Sequence, residues 1–378
     1  MINRFYRRIV VPLYCFVPFV AVRFLLSFLS ILNYPFNRRR PLESEPCLCI
    51  EAGVKGWDSI EFQELFYSAC EYLGESNVHR FIVGENAGYL QQLSRTLEDQ
   101  KISHYLYDPR TGNSQLFYWR AIWQSIRVSI MLHNRGIVPI VLLTDLAVRA
   151  WRTQAAFVSA SRGIVVCFMA PRIVHSIFPH NRLLGPSLMP FSIHTLNLLD
   201  QLALAKTANI PPTAIFTGSL YEPRTTALEA IRVGLESKGI LFEIKGRTMG
   251  STRVPSHEYW NRLSSSDVVV TTSDQAIQDC ADWNHVPHLV YRYLEVLASG
   301  SLLIAQDVPS VRRYFTPGIH FISFSSPENA INLISYYLHS LAERLAIAKA
   351  GKHRADALIN ARSFWVQIDS FLGRNSLL

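Results

Sequence analysis

This sequence of 378 residues has little charge, and it lacks the short motifs by which several large enzyme classes are recognised. Asp, Glu, Lys and Arg make up 17% of it and hydrophobic residues 49%, a balance that excludes a disordered chain. It contains no Gly-x-Gly-x-x-Gly, no Gly-x-x-x-x-Gly-Lys-Ser/Thr, no Gly-x-Ser-x-Gly and no His-Glu-x-x-His. Dehydrogenases that bind a dinucleotide, P-loop NTPases, serine hydrolases with a nucleophile elbow and zinc proteases therefore lack their usual residues.

The cysteines also lack the spacing of a zinc or redox motif, because none of the six forms a Cys-x-x-Cys pair. Cys47 and Cys49 are separated by one residue in a predicted strand, so both point to the same face. We interpret the cysteines as small buried hydrophobic residues in a reducing compartment, in preference to zinc ligands or disulfides.

The positive charge is concentrated at the amino terminus. Residues 1–45 contain seven arginines and two glutamates, a net charge of +5 out of +8 for the whole chain. Basic residues that flank an apolar segment favour an anionic membrane surface as partner. No basic helix with interleaved exposed aromatic residues is found elsewhere, so nucleic acid is not expected as a partner.

The apolar run at residues 9–32 is long enough to cross a bilayer. Arg23 lies near its middle, which costs about 3 kcal/mol on insertion scales, and Pro12 and Pro18 interrupt a helix. Since no small-residue cleavage site is apparent, a signal peptide is disfavoured. We expect residues 1–45 to lie on the membrane surface, with a true span or a soluble hydrophobic arm as alternatives.

From Cys47 onward, short apolar runs alternate with helical patterns, which predicts a mainly parallel, doubly wound sheet. The strands are predicted at Cys47–Ala52, Arg80–Gly84, His104–Tyr107, Val138–Thr144 and Ile164–Ala170, and the helices at Phe62–Leu73, Leu90–Glu98, Gln115–Leu132 and Leu146–Ala160. A further helix is expected over Ser187–Lys206. Asn209-Ile-Pro-Pro212 then breaks the chain and marks a domain boundary.

The same rhythm restarts after this break. Strands are predicted at Ala214–Thr217, Leu241–Ile244, Val268–Thr272, Leu302–Ala305 and Phe321–Phe324, and helices at Thr225–Ser237, His257–Leu263, Val290–Ser299, Pro327–Leu338 and Leu341–Ala357. The expected organisation is a membrane-associating segment (1–45), two Rossmann-like domains (46–208 and 209–356) and a terminal helix (357–378). Whether this helix returns to the first domain is left open. A cleft between the two domains is the expected ligand site.

The most informative stretch is Arg292-Tyr-Leu-Glu-Val-Leu-Ala-Ser-Gly300. It predicts a helix with one apolar stripe, ended by Gly300 in the left-handed conformation. Arg292 and Glu295 are three residues apart and therefore leave the same side of this helix. A cation and a carboxylate at a helix amino terminus suit a nucleoside diphosphate-sugar, with arginine facing phosphate and glutamate facing ribose.

This stretch resembles the donor-binding signature of GT-B glycosyltransferases, and the likeness is greatest to the spore-coat glycosyltransferase-like branch. The resemblance covers about 70 residues, through Phe315-Thr-Pro-Gly318, Ser335-Tyr-Tyr-Leu-His339 and Glu343-Arg-Leu-Ala-Ile-Ala-Lys-Ala-Gly351. A weaker match is Phe216-Thr-Gly-Ser-Leu-Tyr-Glu-Pro-Arg224. Related families place a second glutamate eight positions before Glu295, where this chain has Pro287. Retention or inversion of the sugar's configuration is therefore left open.

The resemblance implies an α/β protein of two Rossmann-like doubly wound domains, with the donor bound by the second. Gly218 would let the backbone approach a phosphate, Ser219 would add a hydroxyl donor, and Arg224 would reach the diphosphate. An ordinary strand–helix turn with a surface arginine is the alternative. The expected donor-binding residues are Gly218, Ser219, Arg224, Thr272, Arg292 and Glu295. For Arg292, an internal ion pair with Glu295 is the competing interpretation.

The catalytic base is expected among three residues of the first domain. Glu51 follows most of the first strand, Asp145 ends another strand, and His175 lies just after the strand at Ile164–Ala170. A histidine titrates near neutral pH and can move a proton, whereas any of the three could equally be structural.

The expected function is transfer of a sugar from a nucleoside diphosphate-sugar to a glycan or lipid-linked acceptor of the cell envelope, at the cytoplasmic face of the membrane. No Asp-x-Asp motif is present, so neither a metal nor any cofactor besides the donor is expected. The alternative is a non-catalytic relative that binds a nucleotide or a partner protein at the membrane, which the substitution at Pro287 favours.

Overall fold

The structure is a computed structural model that describes residues 47–53, 59–83, 88–109, 118–144, 154–155, 157–159, 163–169, 182–206, 211–220, 222–248, 254–272, 289–373 and 377. These residues fall into two compact units, which are separated in sequence after Ser187 and again after Asn360. The membrane-associating segment predicted at 1–45 lies outside the described residues. Among the helices that are described, none has the length and apolar character required to cross a membrane.

Within the described residues, the first half of the chain gives the first unit six strands and three α-helices. The strands are β1 (Leu48–Gly53), β2 (Val78–Val83), β3 (His104–Tyr107), β4 (Val138–Leu143), β5 (Ile164–Cys167) and β6 (Arg182–Leu184), and the helices are α1 (Ile60–Leu73), α2 (Tyr89–Asp99) and α3 (Tyr118–Asn134). Ser59 caps α1, since its hydroxyl accepts a hydrogen bond from the Phe62 amide at 3.3 Å. The helix predicted at Leu146–Ala160 lies largely outside the described residues.

All pairings in the first sheet are parallel, in the order β2-β1-β3-β4-β5-β6. The described residues of β1, β3, β4 and β5 are buried on both faces, as a sheet covered by two layers requires. Cys47 and Cys49 lie in one apolar cluster with residues of α2 and β3, as their spacing predicted. Burial raises the pKa of Cys47 to about 11 and that of Cys167 to about 12, so both remain thiols at neutral pH.

The second unit repeats the same plan with five strands. These are β7 (Ala214–Leu220), β8 (Phe242–Thr248), β9 (Val268–Thr271), β10 (Leu302–Gln306) and β11 (Ile322–Phe324). The helices of this part of the chain are α4 (Ile193–Ala205), α5 (Arg224–Glu236), α6 (Ser256–Ser265), α7 (Tyr291–Ser299), α8 (Pro309–Arg312), α9 (Pro327–His339) and α10 (Leu341–Leu358), followed by α11 (Ala361–Leu372).

The second sheet is also parallel, in the order β11-β10-β9-β7-β8. In each sheet the first strand lies between the second and the third, so the chain reverses its direction of winding beside β1 and beside β7. Ligands of doubly wound sheets bind at the carboxyl ends of strands where this reversal occurs. The predicted α/β class, with two parallel Rossmann-like sheets, is therefore confirmed.

The expected domain boundary at residue 208 is wrong. The division follows Ser187, because α4, on which Leu196 and Leu199 are buried, packs on α6 and α7 of the second unit. The terminal helix α11 belongs to the first unit. Its buried Trp365 packs against α1 and donates a hydrogen bond from Nε1 to Ser68 Oγ at 3.1 Å.

Most predicted elements are present within a few residues of their expected ends. Helix α4 begins at Ile193 and not at Ser187, and β8 extends to Thr248, beyond its predicted end at Ile244. The short strand β6 and the four-residue helix α8 were not predicted. Strand β7 extends to Leu220, three residues beyond its predicted end, because its last residues pair with β8. This extension changes the surroundings of the residues that were predicted to bind the donor.

Candidate nucleotide-binding site

Helix α7 is the element on which the candidate site is built. It begins after Val290, whose backbone is extended, and ends at Gly300, which has the expected left-handed conformation with φ of 74°. All residues from Tyr293 to Ser299 are buried, so the helix is packed on every side rather than along one stripe. The Lys352 ammonium group donates to the Ala298 carbonyl at 3.0 Å and so satisfies one acceptor at the carboxyl end.

Arg292 and Glu295 form the ion pair that their spacing allowed. Arg292 Nε lies 2.9 Å from Glu295 Oε2, and Arg292 Nη1 donates to the Thr217 carbonyl of β7 at 2.5 Å. The Glu295 side chain is 6% exposed, whereas the Arg292 side chain is 21% exposed. The arginine therefore joins α7 to β7, and part of its side chain remains exposed to solvent.

Tyr259 of α6 is a further member of this group. Its hydroxyl donates to Glu295 Oε2 at 2.6 Å, and the Arg292 guanidinium lies 4.9 Å from the centre of its ring. Burial raises the pKa of Tyr259 well above its usual value, opposed by Arg292 and reinforced by Glu295, so the hydroxyl remains a donor. One carboxylate oxygen of Glu295 thus receives both a guanidinium and a phenol.

Gly218 lies within β7, paired with Gly246 of β8, and not in a loop after the strand as predicted. Its φ is +147°, a conformation that L-amino acids rarely adopt. A Cβ added here would lie 3.2 Å from Arg292 Nη2 and 3.3 Å from Phe216 Cζ. The glycine is therefore required both by the backbone and by the guanidinium that passes across it.

Arg224 was expected to reach the diphosphate, with a surface position in a strand–helix turn as the alternative. It is instead the first residue of α5 and only 8% exposed. Its Nε donates to Thr272 Oγ1 at 2.9 Å, its Nη2 to the Thr272 carbonyl at 3.0 Å and its Nη1 to the Ser219 carbonyl at 3.0 Å. The buried guanidinium thus supplies hydrogen-bond donors to the carbonyl groups of Ser219 and Thr272. Arg224 consequently joins the carboxyl ends of β7 and β9.

These ends are the place where the winding of the second sheet reverses. Strands β7 and β9 are paired only at Ala214–Val268 and Ile215–Val269, so the two strands are unpaired beyond Ile215. Arg224 bridges them from Ser219 to Thr272, and Arg292 attaches to Thr217. The structure thus brings all six predicted donor-binding residues to β7 or to the groups bonded across its carboxyl end.

Glu51 is the one predicted catalytic residue whose surroundings are described, and it lies within β1. Its carboxyl group is fully buried. Oε2 accepts hydrogen bonds from Tyr89 at 2.8 Å and from Tyr105, while Oε1 has no hydrogen-bond partner among the described residues. Burial raises the pKa of Glu51 to about 7; the two tyrosine bonds oppose this rise, and Asp108 adds to it.

His175 and Asp145 both lie outside the described residues, so their roles stay predictions. Glu51 occupies the winding reversal of the first sheet, between β1 and β3, which corresponds to the position of the β7 site in the second. Because Glu51 is buried among the described residues, its carboxylate is not exposed to a substrate at this position. Its role as a base therefore also stays a prediction.

The chain is similar to proteins of one family and one fold. Residues 225–368 match the family model described as glycosyl transferase-like. Among solved structures, HepE of Anabaena in complex with UDP and glucose has a TM-score of 0.59 at 10% identity, covering 87% of this chain and 100% of that one.

Two other solved structures agree on the fold. A glycosyltransferase from Rickettsia africae has a TM-score of 0.50 at 9% identity, covering 88% of this chain and 99% of its own. A DNA-modifying β-glucosyltransferase, studied with and without uridine diphosphoglucose, has a TM-score of 0.51 at 11% identity and covers 86% and 99%. Among curated proteins, no sequence matches this chain.

The family match is limited to residues 225–368, whereas the GT-B fold is shared over most of the chain. Both findings agree with the GT-B resemblance seen in the sequence.

Tyr259 is the residue of the candidate site that the sequence did not indicate. It lies in the predicted helix His257–Leu263, but no motif distinguishes it from the other aromatic residues there. Its contact with Glu295 joins positions 36 residues apart and depends on how α6 packs on α7. A tyrosine on the buried face of an amphipathic helix is the only signal that the sequence carries.

Proposed function

We propose that this chain transfers a sugar from a nucleoside diphosphate-sugar to a glycan or lipid-linked acceptor of the cell envelope. The observation that carries the proposal is the Arg292–Glu295 pair on α7, held against β7. A guanidinium binds phosphate, and a carboxylate accepts hydrogen bonds from adjacent ribose hydroxyls. The pair therefore matches the two polar parts of a nucleoside diphosphate, and the HepE complex with UDP and glucose supports a nucleotide-sugar donor.

Arg292 is the better of the two arginines for contact with the diphosphate. Its side chain is partly exposed, whereas Arg224 is buried and bonded through three of its nitrogens. Arg292 would stabilise the negative charge that develops on the leaving diphosphate. Arg224 would act without contacting the donor, by holding in place the strand ends that carry Ser219 and Thr272.

Gly218 supports the same arrangement. Because it has no side chain, the Arg292 guanidinium can lie against the β7 backbone. The same lack of a side chain would allow a phosphate to approach close to the backbone beside that guanidinium. Ser219 would contribute a hydroxyl donor next to it.

Glu51, Asp145 and His175 remain the proposed sources of a catalytic base. General-base catalysis contributes roughly 10²- to 10⁴-fold to a rate, so replacing the true base should lower turnover by that factor. Donor binding should be unchanged in the same variant, since the base acts on the acceptor. The donor site itself would need no metal and no cofactor, and turnover should accordingly persist in EDTA.

The proposed location is the cytoplasmic face of a membrane. Nucleotide sugars are cytoplasmic, and residues 1–45 combine an apolar run with seven arginines that suit anionic lipid. A surface anchor rather than a span is proposed because of Arg23, Pro12 and Pro18.

Binding and turnover should be measured separately on the full chain. Calorimetry with UDP, GDP, ADP and CDP tests for a nucleotide site, and hydrolysis of labelled nucleotide sugars tests for donor cleavage. We expect micromolar to low-millimolar binding of at least one diphosphate and slow hydrolysis of its sugar conjugate. Absence of binding by all four at millimolar concentration would refute the proposal.

A second candidate function is a non-catalytic protein that binds a nucleotide or a partner at the membrane. Pro287 favours it, since it replaces the second glutamate of related families. Diphosphate binding without any hydrolysis or transfer, across a broad panel of donors and acceptors, would select this alternative.

A further inference from the structure

The contacts of Tyr259 suggest that it has a role beyond filling the core. It is 6% exposed, and its hydroxyl reaches Glu295 Oε2, the same oxygen that lies 2.9 Å from Arg292 Nε. The hydrogen bond from the tyrosine hydroxyl, beside the positive charge of Arg292, restricts the rotation of the carboxyl group about its last bond. An arginine alone would leave that rotation less constrained.

The helix that carries Tyr259 is itself held in place by aromatic contacts. Phe191 packs on Trp260 with ring centres 5.9 Å apart and stacks on Tyr291 of α7 at 5.0 Å. Trp260 also contacts Tyr259 edge to face at 5.1 Å. The hydroxyl is therefore presented to Glu295 by two helices that share one packed cluster, with little freedom to move.

We propose that Tyr259 is a positioning residue that orients the Glu295 carboxylate toward the hydroxyls of a ribose, so that the site prefers ribonucleotides over deoxyribonucleotides. This inference rests on the proposed function, because it assigns to Glu295 the sugar of a bound nucleotide. Tyr259 itself need not touch the ligand.

The test compares the affinity for UDP with that for 2′-deoxy-UDP, by calorimetry on the full chain, in wild type, Tyr259→Phe and Glu295→Gln. Wild type should prefer UDP by about tenfold or more, since a hydrogen bond from a ribose hydroxyl to a charged acceptor is lost in the deoxy compound. Tyr259→Phe should weaken UDP binding by about fivefold to tenfold and reduce the preference for UDP to about threefold or less. Glu295→Gln should reduce it in the same way.

Tyr293→Phe is the matched control. Tyr293 is also a buried tyrosine beside the site, on α7, but its hydroxyl donates to the Gln306 carbonyl and not to Glu295. This variant loses a buried tyrosine hydrogen bond and should keep the wild-type preference for UDP. Its melting temperature provides the reference for the stability that such a loss costs.

The double variant Tyr259→Phe, Glu295→Gln decides whether the tyrosine acts through the glutamate. If it does, the double variant binds UDP no more weakly than Glu295→Gln alone. Additive losses, or an unchanged preference for UDP in Tyr259→Phe, would overturn the inference while leaving nucleotide binding intact. If wild type binds no nucleoside diphosphate, the proposed function itself fails, and this inference fails with it.

Discussion

The buried carboxyl group of Glu51 makes the stability of the first unit depend on pH in a direction opposite to that of most glutamates. In the folded chain its pKa is raised from an ordinary 4.5 to about 7, chiefly by burial. Between these two pH values the folded state holds a proton that the unfolded state has released. Stability therefore falls as the pH rises from 4.5 to about 7 and is level above that range.

The magnitude follows from the difference between the two pKa values. Each unit corresponds to about 1.4 kcal/mol, so a rise of roughly 2.5 units represents about 3 kcal/mol. Glu51→Gln keeps the shape of the side chain and removes the titration. Relative to wild type, this variant should gain about 3 kcal/mol of unfolding free energy between pH 4.5 and pH 7.5.

Urea unfolding followed by circular dichroism, at half-unit intervals of pH, measures this difference. Glu98→Gln is the control: the Arg135 hydrogen bond lowers the pKa of Glu98, so its contribution to stability changes mainly below pH 4.5, and this variant should differ from wild type by a nearly constant amount above that pH. A difference between Glu51→Gln and wild type that stays constant from pH 4.5 to 7.5 would refute the reasoning. It would mean that Glu51 is ionised in the folded chain and that water or another donor reaches Oε1.

Three further predictions follow from the second unit and the amino terminus. Gly218→Ala should displace Arg292 and weaken nucleotide binding, measured by calorimetry, by about tenfold. Gly239→Ala is the control, because Gly239 also has a positive φ but no atoms lie near its Cβ; this variant should change only the stability, measured by thermal unfolding. Arg224→Ala removes three hydrogen bonds of a buried guanidinium and should lower the free energy of unfolding in urea by about 3 kcal/mol. Arg232→Ala, at a side chain that is 38% exposed, should change it by no more than about 0.5 kcal/mol; equal stabilities of the two variants would show that the contacts of Arg224 with Ser219 and Thr272 are dispensable. A chain beginning at Glu45 should bind its nucleotide but not sediment with anionic vesicles, while the full chain sediments and is partly released by high salt; full resistance to salt and carbonate would establish a span.

Much of the fold follows from local patterns in the sequence. Short apolar runs separated by amphipathic helices predicted two parallel sheets, and Gly300 predicted the end of α7. The spacing of Arg292 and Glu295 predicted their contact, since residues three apart on a helix are neighbours. These features depend on a few consecutive residues, which is why the sequence alone reveals them.

The remaining features depend on contacts between distant segments. Arg224 is buried because β7 and β9 are unpaired beyond Ile215 and leave carbonyl groups for it to bind. The prolines at 211 and 212 suggested a boundary, but the packing of α4 on α6 and α7 assigns the preceding helix to the second unit. Tyr259 joins the site for the same reason, through helix packing that no local pattern encodes.

The return of α11 to the first unit makes the second unit an insertion within the first. During synthesis, residues 188–360 leave the ribosome before α11, the helix that completes the first unit. Until α11 arrives, the surface of α1 that includes Ser68 lacks the Trp365 side chain that covers it. The second unit, which carries the candidate nucleotide site, can thus fold first, whereas the first unit is completed only when residues 361–372 have been made.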